Sequence, residues 1–265
     1  MARQAITSVL ALDGDMRFTR HERDARLTGA VEGYWTLTVA TPDAILRVIP
    51  DGRIDAMFDL DTRESFVGGP VPLPFEVRHE RPTRLLGATL SPAAAAAFFG
   101  VEIGAIGPGW RSLDALLGPL AARLTALVLA GETIEAKVAA LESLLIARIG
   151  APDRRVARAV DAVARSGGRV GVAALGRAAG ASPRNLARLF DRWVGLPPKT
   201  FARIARVQEV LRRMQDNPAP SLKALSAELG FADQAHMSRE VKAIAGDGPG
   251  RMAESFKRMS ESFKP

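Results

Sequence analysis

Two short clusters of polar side chains carry most of the chemistry this sequence offers a partner. The first is Arg184, Asn185 and Arg188; the second is Gln234, His236, Ser238 and Arg239. These residue types read the edges of nucleobases. Arg pairs bidentately with guanine, Asn or Gln with adenine, and Ser or His make single contacts. Arg also binds phosphate, which positions a protein on a duplex without reading its sequence. Taken singly, each would sit equally well on a solvated helix face. Spacing gives them more meaning: Arg184 and Arg188 are one helical turn apart, so both can enter one groove.

Each cluster needs a helix to present it. Val172–Ala179 is short and apolar-periodic, Gly180 supplies a turn, and Ser182 is an N-cap with Pro183 in the first helical turn. The helix Pro183–Val194 then puts Leu186, Leu189, Phe190 and Trp193 on its buried side. Downstream the pattern repeats. Leu222, Leu225 and Leu229 form one helical face, Gly230 turns, and Asp233 caps a helix to about Ala245 with Met237, Val241 and Ile244 inward. Leu175 and Gly180 match Leu225 and Gly230 at an offset of 50, whereas Ser182, Leu186, Arg188, Phe190 and Pro198 match Asp233, Met237, Arg239, Val241 and Pro249 at 51. Two helix-turn-helix units are expected, each offering one helix to a DNA groove. Between them Pro197-Pro198 opens a helix from about Lys199 to Met214, with Phe201, Ile204, Val207, Val210, Leu211 and Met214 inward, ending before Asn217-Pro218-Ala219-Pro220. Pro197 to Met214 spans roughly 27 Å, enough to hold two recognition helices near one DNA turn of about 34–36 Å apart.

Charge follows the same division. The chain has 265 residues and a net charge of +7, but Pro152–Pro265 holds 21 Lys and Arg against 11 Asp and Glu, so the remainder is net acidic. A basic C-terminal part suits a polyanion. Cysteine is absent, which excludes disulfides, thiolate zinc sites and thiol nucleophiles. The N-terminus lacks a signal-type apolar run, and no stretch approaches the ~18 apolar residues of a membrane span. No membrane partner and a cytoplasmic location are expected.

Upstream the texture differs. Residues 1–26 are mixed and give no firm pattern. Tyr34–Ala40, Ala44–Ile49, Arg53–Leu60, Glu64–Val67, Phe75–His79 and Leu85–Leu90 are short, rich in β-branched or aromatic residues and punctuated by Gly and Pro. Asp51-Gly52 reads as a tight turn between two of these runs. Ser91-Pro92 then starts an Ala-rich helix ending near Gly100. Ser112–Gly150 reads as two amphipathic helices joined at Gly131, suited either to packing on their own domain or to a second copy of the chain. Pro152-Asp153 starts another helix through about Arg165, after a linker at Ala151-Pro152. The expected fold class is α+β: a β-rich domain over 1–111, a helical connector over 112–150 and an all-α domain with two helix-turn-helix motifs over 151–265.

These residues resemble a known family. GFADQAHMSREVKAIAGDGPGRM is similar to the C-terminal signature of the AraC/XylS regulators, and GASPRNLARLFDRWVGLPPKTFARIARVQEVLRRM to that family's first recognition helix and linker helix. The likeness covers roughly Arg155 to Ser255. It implies a seven-helix DNA-binding domain whose two recognition helices enter adjacent major grooves, using Arg184, Asn185 and Arg188 in one and Gln234, His236, Ser238 and Arg239 in the other. Val241, Gly248 and Met252 stand where the family has an aromatic, a Ser and a Tyr. RVIPDGRIDAMFDL and VGGPVPLPFEVRHERPTRLLGATLSPAAAAAFFGV resemble a region often fused to such regulators. The partners implied are double-stranded DNA, a small-molecule effector of the N-terminal domain, a second copy of the chain and RNA polymerase. No cofactor, metal or catalytic residue is expected.

Two other readings compete. An enzyme would need a constellation: His21 and His79 lie far apart in sequence, and Asp51, Asp55, Asp59 and Asp61 cluster around one strand, with Asp55, Asp59 and Asp61 suiting a solvated strand edge. A pure interaction module would use Ser112–Gly150 as a dimer surface and take no ligand. For a sensor, Tyr34, Trp35, Phe58 and Phe75 could line a pocket, although aromatics at strand positions usually fill a core.

Overall fold

The computed structural model describes residues 8–148, 153–217 and 220–262. The expected linker at Ala151-Pro152 and the Pro218-Ala219 step lie outside the described residues. Short alternating runs build the N-terminal region: β1 (Val9–Asp13), β2 (Met16–His21), β3 (Val31–Val39), β4 (Ala44–Val48), β5 (Ile54–Asp59), β6 (Ser65–Gly69), β7 (Phe75–His79), β8 (Thr83–Leu90) and, after two helices, β9 (Gly109–Ser112). The strands form two antiparallel sheets, one ordered β1-β4-β7 and the other β2-β3-β8-β5-β6-β9. Asp51-Gly52 does make a turn, with Gly52 at φ +72° and the Asp51 carboxylate accepting from the Arg53 amide at 2.8 Å. It carries the chain from one sheet to the other and closes no hairpin, because β4 pairs with β1 and β7 while β5 pairs with β6 and β8.

The larger sheet divides the N-terminal region by its pleat. Tyr34, Ile54, Ala56, Phe58, Leu86, Ala88 and Leu90 point to one face and join the core beneath the helices. Those helices are α1 (Pro92–Phe99), α2 (Ile103–Ile106), α3 (Leu113–Leu117), α4 (Pro119–Leu129) and α5 (Ile134–Arg148). Ser91 Oγ accepts from the Ala94 amide as the N-cap of α1, and Gly100 closes that helix in the left-handed region. Where two helices were expected over 112–150, three form, because Gly118 at φ 54°, ψ −135° breaks the path before Pro119. On the sheet's other face Leu37 and Val39 meet Ala44 and Leu46 of the smaller sheet.

The C-terminal helices are α6 (Arg154–Ser166), α7 (Val172–Ala179), α8 (Pro183–Trp193), α9 (Pro198–Asp216), α10 (Leu222–Glu228), α11 (Gln234–Ala245) and α12 (Pro249–Ser262). Their core holds Val156, Leu175, Leu186, Phe190, Val207, Leu211, Met237, Val241 and Met252, all essentially inaccessible. Leu10, Ile49 and Ala93 from the N-terminal region extend that same cluster. The two regions also meet through polar contacts. Arg47 binds Asp247 at 2.5 Å, Gln208 Nε2 donates to the Pro50 carbonyl at 2.7 Å, and Arg192 binds Glu102 at 2.7 Å. Gly52 admits the Phe201 ring so closely that a Cβ there would stand 2.7 Å from it.

Candidate nucleic-acid interface

Both helix-turn-helix units close by the same local chemistry. α7 ends at Gly180 (φ +61°), and α10 is followed by Gly230 (φ +69°), where a side chain would be strained. Each second helix then starts on a side-chain cap. Ser182 Oγ accepts from the Asn185 amide at 3.3 Å, and Asp233 Oδ1 accepts from the His236 amide at 2.6 Å. Counting from these caps sets the faces. Leu186 and Met237 stand four residues on and are wholly buried; Arg188 and Arg239 stand six on and are exposed. Trp193, expected on the buried side of α8, is half-buried, with the Arg192 guanidinium 4.7 Å above its ring.

The arginines of this region fall into two groups. Many are committed to the fold. Arg203 grips Glu240 through two hydrogen bonds of 2.7 and 3.1 Å, tying α9 to α11. Glu209 takes both Arg212 and Arg213, and these partners hold its carboxyl below the ordinary range although burial pushes the other way. Arg206 lies 4.8 Å over the Phe231 ring and donates to the Gly230 carbonyl. Arg184, Arg188 and Arg239, by contrast, form no ion pair among the described residues and are exposed. A guanidinium left without an internal partner keeps all five donors for an external one.

The other members of the two clusters are placed as follows. Asn185 and Gln234 are exposed, on the first turns of α8 and α11. Ser238 is half-buried. His236 is half-buried too, edge-on to Phe231 at 5.6 Å, and its Nδ1 accepts from the Ala232 amide at 3.4 Å. A ring nitrogen that accepts at Nδ1 leaves Nε2 to donate. His236 therefore shapes the turn as well as offering one donor.

Comparison with known proteins bears on this geometry. A family model described as a helix-turn-helix domain matches residues 175–255, running from α7 through both caps into α12. Over those residues the chain resembles the AraC/XylS regulators. In AraC/XylS terms the match spans both units and the connecting helix in order, and the chain is a DNA-binding transcription regulator. A second model, a domain of unknown function (DUF6597), matches residues 19–107. Solved structures similar to this chain include ToxT from Vibrio cholerae, at 10% identity over 94% of this chain and 99% of that one with a TM-score of 0.45. An apo ToxT variant from Vibrio cholerae strain SCE256 is 8% identical over 96% of this chain and 100% of that one, TM-score 0.47. A search of curated protein sequences finds no match. The departures from the AraC/XylS pattern sit in the core: Val241 and Met252 are fully buried, and Gly248 precedes the buried Pro249 that opens α12.

The N-terminal candidates are distributed differently from their sequence grouping. His21 lies on β2 and His79 on β7, in different sheets, and burial lowers both pKa values. Asp55 and Asp59 form no solvated edge, because β5 is an interior strand; Asp61 is exposed in the turn beyond it, bound to Arg84 at 2.6 Å. Asp59 is only 4% exposed. Burial raises its pKa, but the Thr62 and Asp61 amides and Arg81 outweigh that and hold it low. Asp55 takes hydrogen bonds from Thr89 Oγ1 at 2.6 Å and Trp35 Nε1 at 3.3 Å. Tyr34 and Phe58 are core, Phe75 is half-buried, and Trp35 lies across Gly87 with no room for a Cβ beneath it.

Proposed function

We propose that this regulator binds a specific duplex sequence by laying α8 and α11 in adjacent major grooves, one chain spanning both. Arg184, Asn185 and Arg188 read or clamp the first groove; Gln234, His236, Ser238 and Arg239 do so in the second. The observation that carries this reading is the equivalence of Arg188 and Arg239. Each stands six residues beyond a side-chain N-cap, exposed and without an ion pair among the described residues. Residues 151–265 act as the DNA-binding domain, 112–150 as the connector and 1–111 as the sensing part. Contacts from Arg47, Pro50 and Glu102 to Asp247, Gln208 and Arg192 give that part a grip on α8, α9 and the end of α11. A second copy of the chain and RNA polymerase are the expected protein partners, and the cytoplasm is the expected place. None of the helices among the described residues is long and apolar enough to cross a membrane. Selection of genomic fragments by the purified chain, followed by sequencing, tests the reading. One bipartite motif should emerge, and binding to it should weaken steeply with salt as phosphate contacts release counterions. Equal affinity for unrelated duplexes, or flat salt dependence, would overturn it.

A further inference from the structure

A cavity of about 590 Å³ lies between the larger sheet and the DNA-binding helices, within the usual volume of a small-molecule site. Trp35, Asp55 and Thr89 face it from the sheet, Asp51 from the turn after β4, and Phe201, Ala205 and Gln208 from α9. Phe18 stacks on Trp35 with ring centroids 5.6 Å apart, which gives the cavity an aromatic wall. Trp35 is held in place by donating to Thr89 Oγ1 at 3.0 Å, and Thr89 in turn donates to Asp55.

Charge decides what such a space accepts. Arg53 is bound to Glu32, and Arg212 is bound to Glu209 and Asp216, so these five charges largely answer one another. Arg20 and Arg23 are exposed and line the mouth. Asp51 and Asp55 are half-buried on the inner wall and form no ion pair among the described residues. Their accepted hydrogen bonds all go to one oxygen of each carboxyl, Oδ1. Removal from water, with the neighbouring carboxylate adding to it, pushes the Asp51 pKa up to about 7, and burial raises that of Asp55. Two carboxyls beside stacked aromatic rings form the surroundings that hold an ammonium or amidinium group with an apolar body.

We propose that this cavity is the effector site and that its ligand is a small organic cation, the charged group on Asp51 and Asp55 and the apolar body along Phe18 and Trp35. The proposal rests on the sensing role given above to the N-terminal region. Because α9 forms one wall, an occupant touches the helix that joins the two recognition units. A cation entering at mildly acidic pH displaces a proton from the carboxyl pair, so binding strengthens as pH rises through neutrality.

The test uses the full chain and three probes of one shape: benzamidine, benzamide and benzoate. Benzamidine should raise the melting temperature and bind with proton release at about pH 6, seen as a heat that depends on buffer ionisation. Affinity should fall roughly tenfold or more towards about pH 5. Benzoate should give no shift and benzamide little. Asp51→Asn with Asp55→Asn should abolish the benzamidine shift. Ala205→Leu, which fills the cavity from α9 and keeps both carboxyls, should abolish it as well and covers a failure of the double variant to fold. Stabilisation by benzoate equal to that by benzamidine would overturn the proposal. So would retention of the shift in Ala205→Leu, or no response to benzamidine at about 10 mM. DNA binding without any probe is a separate measurement: a chain that binds its operator but ignores benzamidine loses only the cavity assignment.

Discussion

In the proposed reading sequence readout rests on Arg188 and Arg239, which, like Arg184, are exposed and form no ion pair among the described residues. Arg203, Arg206, Arg212 and Arg213 are equally basic in a composition count, yet each is held by a carboxylate, a carbonyl or a ring. Arg188→Ala and Arg239→Ala should therefore each weaken binding to the selected motif by about 1–3 kcal/mol, the usual cost of losing a bidentate base contact. Melting temperatures should stay within about a degree of the parent, since surface changes away from packed features rarely cost more than ~0.5 kcal/mol. Arg203→Ala should do the reverse: it removes the α9–α11 clamp and lowers thermal stability first. Fluorescence anisotropy with a labelled duplex, read beside thermal melts, separates the two classes. Equal affinity losses for Arg188→Ala on motif and random DNA would reassign Arg188 to a phosphate contact.

At the scale of elements, the caps and turns were the most legible features. Ser91, Ser182 and Asp233 cap helices as their residue types suggest, because a short side-chain oxygen satisfies an amide that the helix leaves open. Asp233→Ala should cost about 1 kcal/mol and fray the first turn of α11, where Gln234 and His236 sit. Hydrogen exchange should show the loss at the amides of 235–237 and leave α8 unchanged; uniform exchange across the chain would argue against a local cap. The interior strands β3, β4, β5, β6 and β8 are apolar enough to announce themselves, and so is the edge strand β7, read from Phe75–His79. The other three edge strands, β1, β2 and β9, have no counterpart among the runs read from the sequence. An edge strand needs one apolar face at most, so Met16-Arg17-Phe18-Thr19 carries too little contrast to stand out. The cavity was illegible for a related reason. Its wall joins Trp35, Asp51, Asp55 and Gln208, which come from separate parts of the chain and meet only once the sheet and α9 are docked. In the sequence, Asp55, Asp59 and Asp61 of the Asp51–Asp61 cluster read as a solvated edge, because periodicity reports which side a residue faces and not what covers that side.

For the whole molecule the decisive part is α9. Its 19 residues span about 28 Å, and its inward stripe of Phe201, Ile204, Val207, Val210, Leu211 and Met214 belongs to one core shared with α8 and α11. That stripe includes residues of essentially no exposure, and sliding one unit past the other would open them to water at roughly 25 cal/mol per Å² of apolar surface. The two recognition helices are accordingly expected to keep a fixed separation and a fixed angular phase. Inserting about 5 base pairs between the two halves of the selected motif turns one half to the opposite face of the duplex. Affinity should then fall towards that of a single half-site. An insertion of about 10 base pairs restores the phase but adds another turn of some 34–36 Å, which the rod cannot cover, so it should rescue little. An Arg239→Ala chain, depending more on its first unit, should be less sensitive to either insertion. Full affinity at the longer spacing would mean that the units move apart on DNA, and that the continuous core along α9 does not set the distance between them.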